Sequence, residues 1–377
     1  MSLTRNCLYC LQALREHSTN ARLTRDQLAA LQRRKFRRLA AYVYEKSPYY
    51  RDLMRRLKLD PKTCLPEDFP VLTKHDVNEH FDEIVTDRRI TRRSVIEFVG
   101  RDPGSASRFL SRYHVVHSTG TSGTMVYLVF SEKDWIQGSS LILRVPSPLR
   151  LRKRVASVLA AEPNLVAREL TADGERFPAN PFYHCRILDV AWSLDRILEQ
   201  LNQFQPHYLT SYVGVMLLLA DVQRKGVLHI RPQEVSTGGE LLTAHDRERI
   251  EQAFGVRLRH TYACSEALYL ALSMAAGDGL YLQEDETVFE LYGDHTCITP
   301  LFNFTTPLIR YRMNDVLVPE EHTSGTLPFL RVRELIGREE QDLVFSQPAR
   351  RNIRPALVGS GEASRRRRRS MPVRPTR

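Results

Sequence analysis

Three features of the sequence predict an α/β protein, with strands paired in parallel through intervening helices, followed by a small β-rich part. Strand-like and helix-like runs alternate from about residue 126 to residue 262, as they do where parallel strands are joined by crossover helices. Glycine- and hydroxyl-rich turns abut two of those strands, at 118–124 and 238–239. From Tyr281 onward the runs become short and strand-like. At 377 residues the chain buries a sizeable core and has room for two or three domains.

Residues 23–58 read as helical, because Leu28, Leu31, Phe36, Leu39, Tyr42 and Val43 fall on one face. The opposite, Arg-rich face reads as a solvated surface, and Ser47-Pro48 predicts a break. Two prolines punctuate 65–73, and Thr73-Lys-His-Asp76 is the start signal of another helix. Between Val95 and Phe130, strand-like runs alternate with the Gly/Ser/Thr loop, and Val126–Phe130 has the residues of a buried strand. Ser131 caps a helix reaching Leu143, with Asp134 in its first turn. Strands are expected over 154–161 and 186–190, with a helix over 194–204. A strand at 207–212 leads into a helix ending near Lys225. A strand at 234–240 ends in a glycine turn, and a helix over 245–254 closes at Gly255. A last strand covers 256–262, and no internal repeat is present.

The formal charge of +11 is concentrated at one end. Residues 346–377 hold ten Arg and one acidic residue, Glu362, for +9, which leaves only +2 on the other 345 residues. Basicity therefore belongs to a tail, and nucleic acid is expected as a partner only through it, with a solvated tail as the simpler alternative. The longest apolar run, Val213–Ala220, is far short of a membrane span. The N-terminal residues have no sustained apolar region with a small-residue cleavage site, so a secretory signal is not expected. The six cysteines (7, 10, 64, 185, 264 and 297) form no even framework, and a single C-x-x-C lacks a second pair at zinc spacing. A reducing cytoplasm is the expected location.

Four ordered segments carry the chemistry: Ser118-Thr-Gly-Thr-Ser-Gly-Thr124, Gly238-Gly-Glu240, Tyr262-Ala-Cys-Ser-Glu266 and Tyr311-Arg-Met-Asn-Asp315. The first offers backbone N–H groups and hydroxyls to phosphate oxygens, although such a loop is also an ordinary polar turn. It lacks the Gly-Lys-Ser/Thr ending of a Walker loop. Gly238 and Gly239 permit close approach of a flat ring, or simply a tight turn with Glu240 starting a helix. Tyr262 can stack on a purine, Ser265 can touch a phosphate, and Glu266 can give Mg²⁺ a hard oxygen ligand. A helix cap beside a surface acid is the alternative. Asp315 suits ribose hydroxyls, or equally a salt bridge to Arg310 or Arg312.

Together the segments resemble the adenylate-forming (AMP-binding) superfamily, in particular its phenylacetate–CoA ligase and coenzyme F390 synthetase-like branch. The resemblance covers roughly residues 30–345 and includes Tyr44–Arg51 and Pro70–Asp76. It implies the large N-terminal domain of those enzymes over 1–335, with mixed sheets flanked by helices, a hinge remnant over 336–345 and a disordered Arg-rich tail over 346–377. By the same resemblance Ser118, Thr119, Gly120, Thr121, Ser122, Gly123 and Thr124 wrap the phosphates of ATP. Gly238, Gly239 and Glu240 form the adenine pocket. Tyr262 stacks, Ser265 contacts phosphate, Asp315 holds the ribose, and Arg338 marks the hinge together with Gly337 and Asp342. Thr121 and Glu266 are the catalytic assignments, with Glu266 also the magnesium ligand.

The implied reaction is AMP-forming activation of a small carboxylic acid, aromatic or otherwise ring-bearing. A thiol of CoA or of an acyl or aryl carrier protein's pantetheine is the acceptor. The pattern departs from the family after Phe345, where the mobile domain with its catalytic lysine is expected. No lysine follows Lys225 here. Residues 346–377 have a composition that cannot bury a core. The expectation is impaired ligase activity, with a non-catalytic nucleotide-binding or partner-docking remnant as the alternative.

Overall fold

A computed structural model describes residues 3–101, 108–118, 125–148, 150–176, 179–274, 279–320 and 327–336. All but one of the elements predicted before residue 130 are recovered. Helices α1 (Leu3–Asn20), α2 (Arg25–Lys46) and α3 (Pro48–Leu57) open the chain. The break between α2 and α3 falls at Ser47, which ends one helix and caps the next, its hydroxyl accepting from Tyr50 N with Pro48 in the first turn. Short helices α4 (Lys74–Glu79) and α5 (Phe81–Ile84) follow. Thr73 and Asp76 form the reciprocal cap of α4 that their spacing predicts.

The exception is Arg92–Gly100, which is a helix, α6, and not a strand. Thr91 caps it, and Val95 is buried against Phe109, Val115 and Val129. Local capping and a packed face override the β-branched composition there.

Strands β1 (Tyr113–His117) and β2 (Tyr127–Ser131) form an antiparallel hairpin, with Tyr113 opposite Ser131 and His117 opposite Tyr127. Helix α7 (Glu132–Ser139) starts at the expected Ser131–Asp134 capping box.

The body then alternates: β3 (Lys153–Leu159), α8 (Val166–Asp173), β4 (Tyr183–Asp189), α9 (Leu194–Phe204), β5 (Tyr208–Ser211), α10 (Val213–Arg224), β6 (Glu234–Gly238), α11 (Ala244–Phe254) and β7 (Leu258–Cys264). Helix α8 is absent from the sequence reading. Strands β8 (Leu268–Ser273), β9 (Leu280–Leu282), β10 (Thr287–Leu291), β11 (Thr296–Pro300), β12 (Tyr311–Met313), β13 (Val316–Pro319) and β14 (Arg331–Ile336) complete it.

One nine-stranded sheet runs β13-β14-β9-β8-β7-β6-β5-β3-β4, and β10-β11-β12 form a separate sheet. The pairings from β4 to β7 are parallel and those from β7 to β13 antiparallel. Only β10–β12 make up the small β-rich part. Strands β9, β13 and β14 instead extend the main sheet, through pairings such as Arg331 with Tyr281.

Two apolar cores flank the sheet. One packs α9, α10 and α11 on β3, β5 and β6 through Leu201, Leu219 and Val235. The other packs α2, α3 and α7 on β8 and β12 through Phe36, Trp135 and Leu268. The segment before α4 is pinned to β12, since Leu72 N donates to Arg310 O and Arg312 N to Leu72 O. No helix among the described residues is long and apolar enough to cross a membrane. The proposed hinge beyond Ile336 and the tail lie outside the described residues.

Candidate active site

In an open sheet with parallel strands, ligands settle outside the carboxyl ends of those strands. Here that edge is made by the ends of β3, β5, β6 and β7, where three of the four segments arrive. Gly238 closes β6. A Cβ on it would lie 2.7 Å from Thr261 Oγ1 and 3.0 Å from Thr261 O, so only glycine lets β6 approach β7 this closely. Gly239 has φ +76°, and a Cβ there would meet the Tyr212 ring at 3.3 Å. The turn is therefore glycine-dependent for two different reasons.

Glu240 caps α10, which starts at this same edge just after β5. Its Oε2 accepts from Gly214 N at 2.7 Å. Burial pushes its carboxyl upward, and the N–H groups of Gly214 and Val213 oppose that shift. A carboxylate is well placed at the unsatisfied donors of a helix start. Glu240 thus supports the glycine turn.

The remaining two segments are locked to each other by an exchange of partners. Tyr262 O–H donates to Asp315 Oδ2 at 2.6 Å, while Tyr311 O–H donates to Glu266 Oε1 at 3.1 Å. Each tyrosine of one segment thereby holds the acid of the other. Tyr262, Glu266 and Tyr311 are buried, whereas Asp315 is partly exposed. Burial, with the Asp315 charge adding to it, holds the Tyr262 hydroxyl well above the usual phenol range. It therefore stays protonated and remains a donor. The two arginines that might have paired with Asp315 are committed elsewhere: Arg310 to Glu290 at 2.8 Å and Arg312 to Asp294 at 3.7 Å.

Ser265 joins this pair of segments to the mouth of the Gly/Ser/Thr loop. Its hydroxyl donates to His117 O at 2.9 Å. At the mouth, Ser118 N donates to Val126 O at 3.0 Å, and Val126 N donates to Ser118 Oγ at 3.1 Å. So two hydrogen bonds join the 262–266 and 311–315 segments, Ser265 ties them to His117 next to Ser118, and Gly238 pairs with Thr261, the neighbour of Tyr262. Thr119, Gly120, Thr121, Ser122, Gly123, Thr124 and Arg338 lie outside the described residues.

Three contributors escape sequence reading. Asn164, in the left-handed region at φ +67°, accepts His117 N through its carbonyl at 3.0 Å and donates from its side chain to Val115 O at 2.9 Å. Tyr212 lies flat against Gly239, and its hydroxyl accepts from Ala160 N at 3.4 Å. Buried His260 contacts Thr237 Oγ1 at 3.0 Å, and burial, aided by Arg247, lowers its pKa to about 4. A tyrosine immediately after a parallel strand was the available signal for Tyr212. The other two are visible only through long-range contacts.

Cys264 lies inside the Tyr262–Glu266 segment. Burial, reinforced by the Glu266 charge, drives its thiol well above the usual range, so it is no nucleophile. Glu266 fits a hard cation, because a carboxylate with one oxygen on Tyr311 has a second to offer. The described residues also contain a tight cluster of His17, Asp285 and Glu286. Protein cations already neutralise it: Lys35 Nζ is 2.8 Å from Glu286, and Arg144 pairs with Asp285. This cluster is a structural charge network.

No family model matches the chain. Protein CapK of Staphylococcus aureus is 24% identical over 336 residues, covering 84% of this chain and 69% of that protein. A phenylacetate-coenzyme A ligase of Thermus thermophilus is 24% identical over 358 residues, covering 86% and 73%. A crystal structure of 2-hydroxyisobutyryl-CoA ligase, in complex with 2-HIB-AMP and CoA in the thioesterification state, shares the fold. Its TM-score is 0.66 at 16% identity, covering 85% of this chain and 69% of that one. An open conformation of the same ligase matches with a TM-score of 0.62. With the ordered segments meeting at one end of the sheet, the chain has the fold of 2-hydroxyisobutyryl-CoA ligase and is similar in sequence to a phenylacetate-coenzyme A ligase and to CapK, in line with the resemblance to the adenylate-forming superfamily.

Proposed function

We propose that this chain activates a carboxylic acid with ATP, forming an acyl-adenylate for transfer to a thiol such as that of CoA. The observation that carries this reading is the exchange of partners between Tyr262–Asp315 and Tyr311–Glu266. It sets a ribose-type acid and a metal-type acid in one frame, tied through Ser265 to the loop mouth. An acid oxygen attacks the α-phosphorus, the bond to the β-phosphate oxygen breaks, and pyrophosphate leaves. A thiolate then attacks the acyl carbon and AMP departs.

In this scheme residues 118–124, including Thr121, hold the phosphates. Gly238 and Gly239 let adenine approach the backbone, with Tyr262 against its ring. Asp315 takes the ribose hydroxyls. Mg²⁺, when bound at Glu266, would offset charge on the phosphates. The site's contribution is positioning and electrostatic stabilisation. Ring-bearing acids are the expected substrates, since the relatives include a phenylacetate-coenzyme A ligase.

Carboxylate-dependent exchange of labelled pyrophosphate into ATP tests the proposal, across a panel of aryl and alkyl acids with Glu266→Ala as control. Exchange that needs both an acid and Glu266 supports it. ATP binding without exchange for any acid favours the non-catalytic nucleotide-binding reading.

A further inference from the structure

A second concave site lies at the far end of the β1–β2 hairpin from the Gly/Ser/Thr loop. The loop leaves the hairpin at His117 and Tyr127, whereas this groove meets it at Arg112, Tyr113 and Ser131. Four strand steps separate the two ends, roughly 13 Å at about 3.3 Å per residue. The groove encloses about 1210 Å³ between α1, α2, the hairpin and the 301–305 segment. That is ample for a ligand of nucleotide size.

Its floor is held by hydrogen bonds. Thr305 Oγ1 donates to buried Asp134 at 2.8 Å, and Thr86 Oγ1 donates to Phe304 O at 2.8 Å. Its rim is cationic. Seven Lys or Arg and five Asp or Glu line it. Lys35 is taken by Glu16 and Glu286, Lys46 by Glu45, and Arg89 by Asp87. Arg88 is held by the backbone carbonyls of Asp82 and Val85, and among the described residues Arg38, Arg112 and Lys133 have neither a carboxylate nor a carbonyl partner. Each is instead held against a ring: Arg38 at 5.3 Å over Phe304, Arg112 at 4.9 Å over Tyr113, and Lys133 at 6.0 Å from the Tyr9 centroid. A guanidinium lying on an aromatic face keeps its N–H edge free for phosphate oxygens. Like charges gathered in one concavity repel until an anion joins them.

We propose that this groove is a second ligand site, independent of the adenylation site, for a nucleoside polyphosphate. Arg38, Arg112 and Lys133 would take the phosphates, and the Tyr42–Phe304 wall the base. The two rings of that wall meet edge to face with centroids 5.2 Å apart.

Equilibrium dialysis of the full chain with radiolabelled ADP tests the assignment. Two sites per chain are expected. Arg38→Gln combined with Arg112→Gln weakens one of them at least tenfold and leaves the other, whereas Asp315→Ala weakens only the other. Lys133→Glu, on an exposed side chain that does not threaten folding, weakens the same site as the arginine pair. Inorganic pyrophosphate displaces ADP from that site, and added salt weakens it. If Asp315→Ala changes nothing while the groove variants do, the groove assignment stands and the adenylation reading fails. Groove variants that bind ADP as the wild type does would overturn the assignment. So would a groove emptied by poly-glutamate but untouched by pyrophosphate, which would point to an acidic protein partner.

Discussion

Removing one oxygen atom, in Tyr311→Phe, probes the exchange of partners on which the site rests. Glu266 is 6% exposed and Tyr311 is 4% exposed. The lost bond is charge-assisted, and a carboxylate deprived of its donor in a buried place recovers little from water. Hydrogen bonds to charged groups are worth about 1.5–3 kcal/mol, so a loss near 2 kcal/mol is expected. That corresponds to a roughly 30-fold drop in the folding equilibrium constant. Tyr262→Phe breaks a shorter bond, yet it should cost less, about 1 kcal/mol, because the partly exposed Asp315 regains solvent. Burial, not bond length, sets the order.

Urea denaturation of the two variants, fitted with a common m-value, reads both quantities. Repeating the titration with MgATP adds a functional arm. If the freed Glu266 oxygen binds the cation, MgATP stabilises Tyr311→Phe more than wild type. A Tyr311→Phe loss below about 0.5 kcal/mol, or the reverse ranking of the two variants, would refute the reasoning.

Gly238→Ala sets a methyl against Thr261 Oγ1 and backbone and should cost about 1–3 kcal/mol while raising the KM for ATP, measured by melting and by pyrophosphate exchange. Gly138→Ala places a Cβ 2.5 Å from the Phe302 ring and 2.7 Å from Leu268. A loss of about 1–3 kcal/mol is expected, with the KM for ATP in pyrophosphate exchange unchanged, because the contact lies between α7 and β8 and touches none of the residues assigned to the adenylation site. His260 has a folded pKa of about 4, below its usual 6.5, so it adds stability above pH 6.5 that is lost as pH falls toward 4. The loss approaches about 3 kcal/mol, and denaturation across this window should flatten in His260→Asn. His17 shifts in the same direction, through burial and Arg144, and adds to the slope. Chelation should abolish acid-dependent exchange and added Mg²⁺ restore it, whereas exchange that persists in excess chelator would exclude Glu266 as a metal ligand.

Signals confined to a few residues were legible before any fold was known. The Ser47-Pro48 break, the Thr73–Asp76 and Ser131–Asp134 caps and the left-handed Gly255 all satisfy backbone groups within four residues of themselves. The alternation that predicts the body is likewise local. Helix α6 was misread because its burial against Val129 depends on a hairpin formed later in the chain. Strands β9, β13 and β14 were placed in the small subdomain because nothing near Tyr281 announces Arg331 as its partner.

The order and chemistry of the four segments, and with them the resemblance to adenylate-forming enzymes, are legible in the sequence. What tertiary structure alone decided is who holds whom. Glu240 finds Gly214 across 26 residues, Glu266 finds Tyr311 across 45, and Tyr262 finds Asp315 across 53. Such pairs carry no periodicity, because their spacing along the chain is set by how many whole elements intervene: strands β8–β11 for the two tyrosine–acid pairs, and most of α10 with β6 for Glu240 and Gly214. Their closeness in the molecule is set by the packing of the small sheet against the large one and by the start of α10 beside the end of β6. Local rules name the residues, and the packing of the elements assigns their partners.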